Sequence, residues 1–132
     1  MKAKLAALRF LSIKSRSSWE LKKKLTSKGF SAQEVDQAIS ECRRLGYLDD
    51  GEEARRRSAS LKTKGYGARF IALKLKMQGL EAPQKPVKEE AETIRLLLQK
   101  PAWRKKEKPK CIAALQRRGF DLETILAVIS LS

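Results

Sequence analysis

A leucine, three further residues, a glycine and a large apolar residue recur three times along the chain: LTSKGF at 25–30, LKMQGL at 75–80 and LQRRGF at 115–120. The pattern is that of a helix stop. A glycine just past the last helical turn adopts the left-handed conformation at least cost, and the apolar residue after it folds back on the leucine inside the end. Phe30 therefore pairs with Leu25, Leu80 with Leu75 and Phe120 with Leu115. A recurrence this regular predicts a repeated helical module.

The repeat extends upstream of the cap. Aligning Leu25 with Leu75 without gaps brings Leu11 onto Leu61, Lys14 onto Lys64, Ser17 onto Gly67 and Leu21 onto Ile71. In the third copy Cys111 falls on the Leu21 and Ile71 register, but the match is lost upstream, near Pro101 and Pro109. Three modules follow: residues 1–50, residues 51–87 with a truncated third helix, and residues 88–132. Within them the spacing predicts helices at 3–13, carrying Leu5, Leu8 and Leu11, and from Ser17, where Glu20 completes a capping box. Ser31 with Glu34 forms another box, and that helix ends at Gly46, where Tyr47 packs on Cys42. Asp50 with Glu53 opens a helix with a thin apolar face, Ala54, Ser58 and Leu61, ending at Gly65 with Tyr66 over Leu61. Residues 68–78 carry Phe70, Ile71, Leu75 and Met77. Pro83 and Pro86 cut short or remove the next helix, because proline is tolerated only in a first turn. A helix resumes near Lys88 and stops before Pro101. PAWRKKEKPK reads as a basic connection, followed by helices at 110–118 and from Asp121, the last burying Leu122, Ile125, Leu126 and Ile129. No run alternates as a strand does, so the expected fold is all-α.

The chain is 42% hydrophobic, enough for a core, and carries 30 Lys and Arg against 15 Asp and Glu, a net charge of +15. The excess is spread throughout: eleven cations against six anions over 1–50, twelve against six over 51–100, seven against three over 101–132. A body charged in this way attracts a polyanion: nucleic acid, an acidic protein surface or anionic lipid. No stretch is long and apolar enough to span a membrane. The apolar start MKAKLAALRFLSI is interrupted by Arg9 and has no small-residue cleavage site after it, so it is not read as a signal peptide. Cys42 and Cys111 occupy core registers and read as buried thiols in a reducing cytoplasm.

The chemistry-bearing residue types are sparse. There is no histidine, the commonest general base and metal ligand. No glycine loop fits a phosphate. Asp49, Asp50, Glu52 and Glu53 lack the alternation of a calcium loop and suit a helix N-terminus, where acids complement the macrodipole. No catalytic, cofactor-binding or metal-ligating residue is expected. The remaining candidates are cations, for contact with a partner or nucleic acid: Lys22, Lys23, Lys24, Arg43, Arg44, Arg55, Arg56, Arg57, Arg69, Arg104, Lys105, Lys106, Arg117 and Arg118. Three adjacent cations on a helix fan over about 200°, so any one cluster is as well read as a solvated face. Their presence in every module is the informative feature, since stacked modules array them for a long polyanion. Trp19, at the start of a buried helix, is expected in the core; Trp103 fits a core and an interface equally.

The segments ALRFLSIKSRSSWELKKKLTSKGF at 7–30, LGYLDDGEEA at 45–54, KGYGARFIALKLKMQGL at 64–80 and LQRRGF at 115–120 resemble the RecX family of bacterial recombination regulators, in the family's order and over nearly the whole chain. The resemblance implies tandem three-helix repeats in an elongated, curved molecule. It further implies binding to the RecA recombinase, especially its filament on single-stranded DNA, with inhibition or modulation of recombination, strand exchange and the SOS response, and no catalytic activity. Three features depart from the pattern: Glu53 stands where the family usually has an aromatic residue, Pro83 and Pro86 interrupt the second repeat, and the connection to the third is short. The expectation is a cytoplasmic monomer that needs no cofactor, binds single-stranded DNA weakly and without specificity, and contacts no membrane. The rival readings are a nucleoid-like helical protein acting directly on DNA and, less well supported, a basic ribosome-associated protein.

Overall fold

A computed structural model describes residues 2–83 and 87–130, and the described residues form helices without strands. The helices are α1 (Lys2–Ile13), α2 (Ser18–Ser27), α3 (Ala32–Arg44), α4 (Asp50–Thr63), α5 (Ala68–Met77), α6 (Val87–Leu98), α7 (Pro101–Arg104), α8 (Lys108–Arg117) and α9 (Leu122–Ser130). They group into two compact units. One holds the chain up to Arg56 with Lys76–Glu81, and the other holds Arg57–Leu75 with the chain from Ala82 onward.

The glycine stops form as the sequence predicts. Gly29, Gly46, Gly65, Gly79 and Gly119 all have positive φ, and no other described residue does. At the end of α2 the Gly29 amide donates to the Thr26 carbonyl at 3.0 Å and the Phe30 amide to the Leu25 carbonyl at 3.4 Å, the paired bonds of a Schellman cap. The same pair closes α8, from Gly119 to Gln116 and from Phe120 to Leu115. Both predicted capping boxes, Ser17 with Glu20 and Ser31 with Glu34, are complete.

In the first unit α1, α2 and α3 enclose a core of Leu21, Leu25, Val35, Ala38, Ile39, Cys42 and Leu48. Four expectations are corrected here. The buried face of α1 is Ala3 and Ala7, with Leu5 exposed and Leu8 and Leu11 only partly covered, because small side chains let α1 lie close to its neighbours. Tyr47 is 60% exposed, and Leu48 is the residue that enters the core beyond the Gly46 cap. The cap of α4 is Asp49, which accepts from the Glu52 amide; Asp50 instead accepts from the Ser18 amide at 2.8 Å. Trp19 is not a core residue: it is 44% exposed.

In the second unit Ile94 and Leu97 of α6, Cys111, Ala114 and Leu115 of α8, and Ile125, Val128 and Ile129 of α9 surround Trp103 and Phe120. Two further corrections follow. Residues 101–110 are not a plain connection, because Pro101 opens the short α7, which carries Trp103 into the core at 8% exposure. Leu122 and Leu126 face outward, and Val128 takes the inner position beside Ile125 and Ile129. No helix lies between Met77 and Val87 among the described residues. Pro83 stands in that stretch, while the expected effect of Pro86 falls outside the described residues.

Candidate polyanion-binding surfaces

The expected acidic cluster is used up locally. Asp49 caps α4, Asp50 holds the Ser18 amide, Glu52 pairs with Arg55, and the buried Glu53 accepts from the Ser15 hydroxyl at 3.0 Å and from Arg56. Asp49, Asp50 and Glu53 thereby fix helix starts or helix-to-loop contacts, while Glu52 pairs within α4.

The same ion pairs sort the fourteen candidate cations. Arg44 is bonded to Glu41 and Arg55 to Glu52, and these hydrogen bonds hold both guanidinium pKa values above their ordinary range. Arg56 is tied to Glu53, Arg69 lies 3.5 Å from Asp121, Lys22 3.9 Å from Asp36 and Arg43 4.0 Å from Asp50. Arg57 is half-buried and engaged as well. Arg118 is part of the scaffold. Its guanidinium lies over both Tyr66 and Trp103 and donates to the Lys64 and Gly65 carbonyls at 3.0 and 3.2 Å. Six candidates are exposed without a carboxylate partner among the described residues: Lys23, Lys24, Arg104, Lys105, Lys106 and Arg117.

Four of these six line one of two surfaces built around an aromatic residue. In the first unit a groove of about 450 Å³ is lined by Arg16, Trp19, Glu20, Lys23, Lys24 and Ser27. Lys23 Nζ sits 4.3 Å from the centre of the Trp19 ring, and Arg16 and Lys24 lie 5.4 and 5.9 Å from the centre of Phe10. The α2 register places Trp19 and Lys23 one turn apart, which puts them on one face. In the second unit Arg95, Arg104, Lys106 and Lys108 rim a hollow of about 480 Å³ floored by Leu98, Trp103, Cys111, Val128 and Ile129. Here Lys106 Nζ is 5.6 Å from the centre of the Trp103 ring, while Lys105 and Arg117 line neither surface. Both surfaces combine cations with apolar carbon, the combination that holds unstacked bases or acidic–apolar side chains.

Sequence reasoning missed Arg16 and Arg95, because each stands alone rather than in a run of cations. The signal for Arg16 was its place directly before the Ser17 capping box, which fixes the direction of the chain entering α2.

A family profile described as the first three-helix domain of RecX matches residues 3–42. Regulatory protein RecX of Vibrio vulnificus (strain CMCP6) is 32% identical over 98% of this chain and 92% of its own length. The chain belongs to the RecX family. Regulatory protein RecX of Chlorobaculum tepidum is 31% identical over 95% of this chain and 84% of that protein. Among solved structures, RecX from Lactobacillus salivarius superimposes with a TM-score of 0.84 over 98% of this chain and 94% of that one, at 21% identity. A second crystal structure of a regulatory protein RecX gives a TM-score of 0.78 at 19% identity, over 99% of this chain and 71% of that one. These two likenesses establish the all-helical RecX fold. Of the two cation–aromatic surfaces, the Trp19 groove lies within the stretch that the RecX profile covers.

Proposed function

We propose that this protein is a non-enzymatic regulator that binds the RecA recombinase and its filament on single-stranded DNA, and that it inhibits or modulates strand exchange, recombination and the SOS response. The observation that carries this reading is similarity to regulatory RecX proteins along nearly the whole chain and nearly the whole of theirs. The charge supports it. A filament presents acidic protein surface and phosphate together, and a body with +15 is drawn to both. The relatives are named regulatory proteins, and the acids of α4 have structural partners.

On this reading the protein acts as a monomer in the cytoplasm, and no described helix is long and apolar enough to cross a membrane. Its modules are residues 1–50, 51–87 and 88–132. Lys23, Lys24, Arg104, Lys105, Lys106 and Arg117 are the contacts, while Arg118 holds the scaffold. Bridging neighbouring recombinase subunits obstructs entry of a second duplex, strand exchange or filament growth. The test is strand exchange and ATP hydrolysis by RecA across a range of protein-to-recombinase ratios.

A second reading, direct binding to DNA, is favoured by one observation: two separate cation–aromatic surfaces on one small chain. It requires inhibition to follow coverage of the DNA, with a log–log salt slope of about −0.7 to −0.9 per phosphate neutralised.

A further inference from the structure

We infer that the groove of Arg16, Trp19, Lys23 and Lys24 is a stacking site for a base of single-stranded nucleic acid. The inference rests on the reading that single-stranded DNA is among the partners, and it assigns that contact to one place. Trp19 stands at the second position of α2, and its exposure is anomalous for a tryptophan at the start of a helix packed in a core. It is held rigidly. Gly79 lies against its Cβ and the near ring atoms, so closely that a Cβ on Gly79 would come within 2.3 Å of the Trp19 Cβ. Away from that contact the indole is covered by the Lys23 ammonium, 4.3 Å from the ring centre.

That cover is removable. Lys23 is exposed and has no carboxylate partner among the described residues, so its four-carbon stem swings aside at little cost. A base then takes its place on the indole, and the ammonium is left beside the phosphate that the base brings with it. Arg16 and Lys24 supply two further cations at the groove. Arg16 is oriented by its Nε bond to the Phe10 carbonyl at 3.3 Å. The one carboxylate in the lining, Glu20, is turned to the Ser17 amide at 2.8 Å as the second half of the capping box. An anion therefore meets three cations and a committed acid. Base–aromatic stacking tolerates any sequence, and only an unstacked strand offers a base face, so the site favours single strands over duplex.

The experiment uses the full chain, short oligothymidylate and no recombinase, so it reads nucleic-acid binding apart from regulation of RecA, on which the strand-exchange assay reports separately. Trp103 is only 8% exposed but lines the second surface, so the part of the quenching of tryptophan emission by the oligonucleotide that is lost in Trp19→Leu is the part that reports on Trp19. We expect quenching in the parent, most of it lost in Trp19→Leu, and about fivefold or greater loss of affinity in that variant, the loss of one stacked base. Trp19→Phe retains most of the binding, and circular dichroism checks that both variants keep the parent's helicity. An abasic oligomer of equal length binds the parent as weakly as thymidylate binds Trp19→Leu. The inference is overturned if the parent is not quenched, if Trp19→Leu binds like the parent, or if the abasic strand binds as well as thymidylate. An acidic peptide that displaces thymidylate from the parent and from Trp19→Leu equally would also overturn it, since it would mark a site that reads charge only.

Discussion

The Ser17 hydroxyl donates to the Gln78 carbonyl at 2.6 Å, across 61 residues of sequence. The start of α2 is thereby bonded to the residue that follows the last turn of α5. An equivalent joint recurs in the other unit: the Gly67 amide donates to the Arg118 carbonyl at 2.7 Å and the Arg69 amide to the Gly119 carbonyl at 3.0 Å. Ser17 and Gly67 are the residues that the internal repeat aligns. In both places a helix N-terminus, short of acceptors, meets a helix C-terminus, short of donors. The glycine caps therefore do more than end helices, since two of them are sockets for the next helix start.

Ser17 is fully buried and also accepts from the Glu20 amide at 3.1 Å. Ser17→Ala removes both bonds and deprives two partly buried backbone groups of this partner. We expect a loss of about 1–3 kcal/mol, measured as the shift in the urea unfolding midpoint. Ser31→Ala should cost less, because its cap is solvent-exposed.

The caps should respond unequally to a methyl group. Gly29 has φ +93° with open space around it, whereas a Cβ on Gly119, at φ +91°, would lie 2.3 Å from the Phe70 amide nitrogen. Gly29→Ala should cost about 1 kcal/mol, the backbone penalty alone. Gly119→Ala adds a clash against main chain, and the sum should exceed about 3 kcal/mol. Equal losses in urea unfolding would show that the α8 socket is not tightly closed.

Much of this was legible in sequence, because the signals were local. The five cap glycines, the capping boxes of Ser17 and Ser31 and the all-α class depend on residues within a turn of one another. What was not legible depends on neighbours far along the chain. Trp19 stands at the start of a buried helix, yet Gly79 takes up its inner edge and leaves the rest exposed. Ala3 and Ala7 outcompete Leu5 for burial because close helix approach favours small side chains. Arg118 looked like one cation of a pair, but Tyr66 and Trp103 come around it only when the second unit folds.

The arginine triplet of α4 divides by its partners. Arg55 pairs with the half-exposed Glu52, but Arg56 neutralises the buried Glu53. Arg56→Glu would place two carboxylates together, one of them buried, and should lower stability by about 1–3 kcal/mol, while Arg55→Glu should cost less than about 1 kcal/mol. Thermal melts of both variants check this distinction between the two arginines. Equal melting losses would contradict the distinction.

Stability should also fall in acid through Glu41. The hydrogen bond from Arg44 is the largest cause; burial opposes it and the bond from Lys4 adds to it, and together they lower the Glu41 pKa from 4.5 to about 2. The folded value lies below the unfolded one, so this stabilisation is fully present above pH 4.5 and is lost as the pH falls toward 2. Glu41→Gln should flatten the dependence of the unfolding midpoint on pH in that window and leave its slope at neutral pH unchanged. A slope as steep as the parent's would show that the pair with Arg44 does not persist in solution.

The most direct test of the central claim is RecA-mediated strand exchange titrated with the purified protein at fixed single-stranded DNA. A filament regulator acts while outnumbered, because one blocked position affects many subunits. The account predicts inhibition with fewer copies of this protein than of recombinase, at concentrations where most of the DNA carries none of it. Inhibition that appears only once the DNA is saturated would contradict the account and establish the DNA-binding alternative.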